Sequence, residues 1–173
     1  MYRIEIPNYI THIELTKKRR PVYKEDGTLK NARTVNKPRV KKINGQDLWV
    51  TIDPHLRSKI AKELKKYFYE FIREMPEIEE YPLKVLMEFH QPAGDYDIDN
   101  LSLWYRKCFH DALAGNVEYI PANINGKVSY YPDRFKYPAK IIDDNVNYIS
   151  EFTSRFVEAE PENNKLISVI EKA

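Results

Sequence analysis

Apolar residues alternate with charged ones at the start of the chain: Tyr2, Ile4 and Ile6 are separated by Arg3 and Glu5, the two-residue period of a strand with one buried face, and Pro7 closes it. The period lengthens after Asp53-Pro54, an N-cap residue followed by proline at the first helical position. Leu56, Ile60, Leu64, Tyr67, Phe68, Phe71, Ile72 and Met75 then recur every three or four positions, with Lys59, Lys62, Lys65, Lys66 and Arg73 largely outside the stripe, which predicts a core-facing helix ending before Pro76. Leu83, Val85, Met87 and Phe89 return to alternation and predict a strand over 83–90, broken by Gln91-Pro92-Ala93-Gly94. Leu101, Trp104, Tyr105, Cys108, Phe109, Ala112 and Leu113 restore helical spacing, and Gly115 supplies a stop.

Other segments read less regularly. Trp49, Val50 and Ile52 suggest a short strand; Ile141-Ile142 and 146–157 suggest strands, and Leu166, Ile167, Val169 and Ile170 a last one after Pro161. Residues 15–47 carry the turn signals Asp26-Gly27 and Asn44-Gly45 and read as a loop or hairpin. Residues 116–139, with Pro121, Pro132, Pro138, Asn125-Gly126 and five scattered aromatic residues, read as an irregular insertion. The expected architecture is α+β: a mixed sheet with helices 54–75 and 99–114 packed on it, in one domain spanning 1–173.

Charge changes the picture. Residues 17–42 hold eleven Lys and Arg against Glu25 and Asp26, a local +9 that leaves −7 for the rest of a chain whose formal charge is +2. Lys17, Lys18, Arg19, Arg20, Arg33, Lys37, Arg39, Lys41 and Lys42 are the candidates for sequence-independent contacts to a polyanion; the bland alternative is a solvated loop. Cys108 is the single cysteine, which excludes an internal disulfide and a cysteine-based zinc cluster. No apolar run approaches membrane-spanning length and Met1–Glu5 has no apolar signal region, so a cytoplasmic protein without membrane association is expected.

The candidate chemistry lies around the second helix. If the backbone is extended from Asp95 to Asp99, Asp97 and Asp99 share a side, and a third carboxylate from Asp143 or Asp144 would complete an oxygen-rich site suited to Mg²⁺ or Mn²⁺. A calcium loop fails, because the required glycine is Asn100 and the required bidentate acid is Arg106. Lys107, two helical turns after Asp99, has two readings: a cation for a phosphate, or an ion pair with Asp111 four residues on. His90 and His110 are isolated, with no Cys/His spacing around them, and no Gly-rich phosphate loop or serine elbow is present.

Asp97-Ile98-Asp99-Asn100, Lys107, Asp111-Ala112-Leu113 and Asp143-Asp144-Asn145, in that order, resemble the motif series of the RusA family of Holliday junction resolvases. The resemblance implies a Mg²⁺- or Mn²⁺-dependent endodeoxyribonuclease with Asp97, Asp99 and Asp144 as metal-binding catalytic carboxylates and Lys107 as the essential basic residue. It also implies a homodimer nicking four-way DNA junctions symmetrically in recombination and repair, in a bacterial or phage setting. The sequence departs from the family pattern in two places. Counted from Asp99 the lysine belongs at Leu103, whereas counted back from Asp111 it is Lys107, as if one helical turn of about 6 Å were inserted; the segment between Gly115 and Lys140 is also long. The alternatives are a nuclease for flaps or forks and a junction-binding protein without catalysis.

Overall fold

A computed structural model describes residues 1–15, 24–28, 39–43, 54–94 and 98–173, with side chains for all of these except 15, 39–42 and 98–101. The chain is α+β. Four strands, β1 (Tyr2–Pro7), β4 (Leu83–Gln91), β7 (Ile149–Glu158) and β8 (Lys165–Lys172), form a mixed sheet in the order β1-β8-β4-β7, beside the helices α1 (Pro54–Ile72) and α2 (Ile98–Leu113). Two hairpins stand apart from that sheet: β2 (His12–Leu15) with β3 (Arg39–Lys42), and β5 (Tyr119–Ile124) with β6 (Lys127–Pro132).

The sheet is mixed because β8 runs antiparallel to both β1 and β4, whereas β4 and β7 are parallel. A parallel pair needs a crossover, and here the crossover contains α2 and the β5–β6 hairpin. Val85, Met87 and Phe89 of β4 share a face with Ile170, Ser168 and Leu166 of β8, and that face is buried. Against it lies an aromatic core in which Phe68 of α1 meets Tyr105 and Phe109 of α2 edge to face at 5.9 and 5.5 Å, and Phe89 meets Tyr105 at 5.6 Å. Such pairs add directional preference to the burial of their area. On the opposite face Glu88 is buried too, held by Arg155 and by His90 at 3.3 Å; β4 is an interior strand, and a carboxylate there is tolerated because it is paired.

The apolar periods place the elements. Ile60, Leu64, Phe68 and Ile72 form the buried line of α1, while Phe71 remains 36% exposed. Buried Lys140 closes α1, its Nζ donating to the carbonyls of Arg73 and Met75 at 2.7 Å each, where a cation satisfies carbonyls at the negative end of the helix. Gly115 stops α2 at φ +72°. Its N–H donates to Ala112 O at 3.0 Å and that of Asn116 to Asp111 O at 2.7 Å, the paired bonds of a Schellman cap.

Three expectations are corrected. Residues 116–139 are not irregular throughout: within them 119–132 form a hairpin, where Asn125 and Gly126, both at positive φ, make a tight turn between two paired strands. Ile141-Ile142 is not a strand; the N–H groups of Lys140 and Ile141 donate to the Leu113 carbonyl at 2.6 and 3.2 Å, tying the segment to the end of α2. The strand expected over 146–157 begins at Ile149, after a turn in which Tyr148 and Ile149 N–H groups both donate to Asn145 O. The expected strand at Trp49–Ile52 and the N-cap Asp53 lie outside the described residues. No helix among the described residues is long and apolar enough to cross a membrane.

Candidate functional site

Helical spacing sets Leu103, Arg106, Lys107 and His110 along one side of α2, and that side faces the turn before β7 and the first residues of β7 itself. Together they enclose an open cleft of about 440 Å³ that also includes Asp144 and Phe152. Lys107 is the centre of its charge. Its Nζ donates to Asp111 Oδ1 at 2.7 Å and to Asp144 Oδ2 at 3.4 Å. The two carboxylates raise the lysine above its ordinary range even though burial works the other way. Burial opposes the charge on Asp144 as well, but Lys107 outweighs it and holds the acid below its usual range. The ion pair foreseen between Lys107 and Asp111 therefore forms, and it extends across to the following turn.

Asp144 owes its position to Asp143. One Asp143 oxygen accepts the N–H of Asp144 at 2.8 Å and the other accepts Asn145 Nδ2 at 2.7 Å, while Asn145 Oδ1 accepts the N–H of Asn147 at 3.0 Å. Short polar side chains that bond nearby backbone in this way fix tight turns. Asp143 thus orders the turn and Asp144 lines the cleft.

Behind Lys107, the side chain of Asp111 is 13% exposed and also pairs with Lys65 of α1 at 3.5 Å. Lys65 was expected outside the buried stripe of α1, yet it is 12% exposed, with its ammonium 5.7 Å from the ring centre of Tyr119. Asp111 of α2 and Tyr119 at the root of β5 meet it, long-range contacts that helical spacing does not encode. His110 is 8% exposed and its Nε2 lacks a hydrogen-bond partner among the described residues. Burial pushes this imidazole down to about 4, although Asp144 pulls the other way. Its position seven residues after Leu103 was the one available sign that it shares the cleft side of the helix. Arg106 rests over the Phe152 ring at 5.1 Å, presenting a second cation at the cleft. Cys108 is fully buried and its thiol is pushed up to about 12 by burial and by Asp111, so it is not a nucleophile here.

The expected ligands fare unequally. Asp97 lies outside the described residues, as does the side chain of Asp99. The backbone of Asp99 is helical, because α2 begins at Ile98, so the extended geometry that would align it with Asp97 does not reach residue 99. Eight residues, about 12 Å of helix, separate it from Lys107. No group of three His, Cys, Asp or Glu residues suited to a metal occurs among the described residues. Of the basic candidates, Lys17, Lys18, Arg19, Arg20, Arg33 and Lys37 lie outside the described residues, while Arg39, Lys41 and Lys42 fall on β3, paired with β2 at the root of that segment.

Comparison of the chain with protein-family models, curated proteins and solved structures finds no match.

Proposed function

We propose that this chain is a metal-dependent endodeoxyribonuclease of branched DNA, acting on four-way junctions as a homodimer with a RusA-like fold. The observation that carries the reading is the meeting of Asp144 and Lys107 at one cleft, with Asp111 behind the lysine on the same helix, which has Asp99 in its first turn. Carboxylate oxygens are the donor set of Mg²⁺ or Mn²⁺ and a poor one for zinc, and Asp144 presents such a donor at the cleft. Asp97, Asp99 and Asp144 would hold the ion, whose chemistry is to polarise a phosphate and activate water.

The chain's own residues have definable work. Arg106 and Lys107 place two cations at the cleft mouth, where they bind and orient a phosphodiester. Asp111 keeps Lys107 protonated and aimed, and Lys65 anchors Asp111 from behind. The basic segment of 17–42 supplies sequence-independent phosphate contacts, so affinity should fall with added salt.

One observation favours a second reading, a junction binder without catalysis: both carboxylates near Lys107 already engage it. Synthetic four-way, forked and linear duplexes, incubated with Mg²⁺ or Mn²⁺, separate the possibilities. Paired nicks in the four-way junction, lost in Asp99→Asn and Asp144→Asn, are expected. Preferential cutting of forks or flaps would move the substrate, and metal-independent binding with no cuts would replace hydrolysis by recognition.

A further inference from the structure

The β5–β6 hairpin has no place in the chemistry just described, yet it carries the densest exposed apolar surface in the described structure. Register assigns its faces. Tyr119, Pro121, Val128 and Tyr130 share one, and Ile120, Ile124 and Tyr131 the other. Neither is covered: Tyr130 is 67% exposed and Tyr131 45%, and Phe135 just beyond the hairpin is wholly exposed. A solitary two-stranded ribbon is marginal in water, and apolar rings so displayed mark a surface that meets something.

Charge and backbone chemistry narrow the occupant. No acid occurs in β5 or β6, whose only charged residue is Lys127, and the turn that follows has Arg134 and Lys136 against Asp133. Flat rings interleaved with cations suit a polyanion bearing planar faces. Strand addition by a second copy is disfavoured, because Pro121 and Pro132 interrupt the two edges with residues that have no N–H to donate. The root of the hairpin is joined to the cleft through side chains: Tyr119 lies on Lys65, Lys65 pairs with Asp111, and Asp111 holds Lys107. The root of the hairpin therefore adjoins the residues that hold Lys107.

We infer that the β5–β6 hairpin and the adjoining turn form a stacking platform for unpaired nucleobases, with Tyr130 and Phe135 against the bases and Lys127 and Arg134 toward the flanking phosphates. This rests on the nucleic-acid reading above and adds to it a preference for substrates whose bases are unstacked near the scissile strand.

The full chain is titrated with an oligothymidine and with a four-way junction containing unpaired thymidines at its centre, by fluorescence anisotropy. Stacking on a base is lost when a ring is removed, so Tyr130→Ala and Phe135→Ala should each bind both about 5- to 150-fold more weakly and the double variant more weakly still, with a fully paired linear duplex little changed. Tyr130→Trp should restore binding, and its added emission should be quenched by the oligothymidine. Circular dichroism should show the double variant folded, since both rings are exposed. Binding of the single strand within about twofold of the parent protein, in a chain that still binds or cuts the junction, overturns the platform and leaves the proposed function standing. Failure of the parent protein to bind any DNA removes both. A parent dimer that becomes monomeric in the double variant, with single-strand affinity intact, assigns the surface to a second copy and also overturns the inference.

Discussion

His110 makes the fold sensitive to acid in a way that can be worked out beforehand. The imidazole is 8% exposed on α2, near Asp144 from the turn before β7, Phe152 of β7 and its own-helix neighbours Arg106 and Lys107. Its ordinary value of 6.5 is driven down to about 4, first by burial and then by the two cations, against the pull of Asp144. The native chain therefore keeps the ring neutral while the unfolded chain protonates it. The contribution is fully present above about pH 6.5, declines as pH falls, and is exhausted near pH 4. Linkage over that window gives a loss of about 2 kcal/mol between pH 7 and pH 5 and about 3 kcal/mol by pH 4. Asp144 and Glu118, held below their ordinary range, also weaken the fold in acid as they protonate. The quantity to read is thus the difference between the parent protein and His110→Leu, from urea unfolding at several pH values. The two curves should diverge by about 2 kcal/mol from pH 7 to pH 5, with the variant the flatter. Parallel curves would refute a neutral, buried His110.

Further substitutions, at three places in the fold, test the architecture. In Gly115→Ala the new Cβ meets Tyr137 O at 2.7 Å at φ +72°, whereas Gly126→Ala at φ +78° meets nothing within 4 Å; the second should cost about 1 kcal/mol and the first about 3 kcal/mol, and equal losses in urea unfolding would contradict the close approach. Asp111→Asn removes the charge that pairs with Lys65 and Lys107, for a loss of about 2 kcal/mol that Lys65→Met should partly relieve; strict additivity in the double-mutant cycle would deny the pair. Phe68→Ala deletes a fully buried ring between Tyr105 and Phe109 and should cost about 3–5 kcal/mol, so a melting temperature close to that of the parent would disagree with the packing.

Periodicity made β1, α1, β4, α2 and most of β7 and β8 legible, because apolar residues recur on the face that each turns to the core. Strand order was not legible: that β8 inserts between β1 and β4, and that β4 meets β7 in parallel, depends on contacts between segments distant in sequence. The β5–β6 hairpin gave conflicting signals. Asn125-Gly126 advertised a turn, but Pro121 and Pro132 argued against strands; both prolines are accommodated because the ribbon has open edges. At the site, the spacing of Lys107 and Asp111 on α2 encoded their ion pair, and Asp144 reaches it through a turn whose bonding partners, Asp143 and Asn145, were visible as a polar cluster. Lys65 and Lys140 were not readable, since each is buried by a segment that returns from far along the chain.

The chain leaves and re-enters the body of the fold at nearly one point: Asp133 N–H donates to Glu118 O at 2.8 Å, closing the hairpin at its neck. Residues 119–132 thus join the body at a single neck, with Tyr119 at its root against Lys65. A short turn joining 118 to 133 closes a smaller loop at little entropic difference, and it should leave the α2 cap and sheet register in place. Ribbons of other lengths and compositions can be grafted at the same neck, and the cleft beside Lys107 should be left alone only by grafts that keep Tyr119 against Lys65, which pairs with Asp111 behind that lysine.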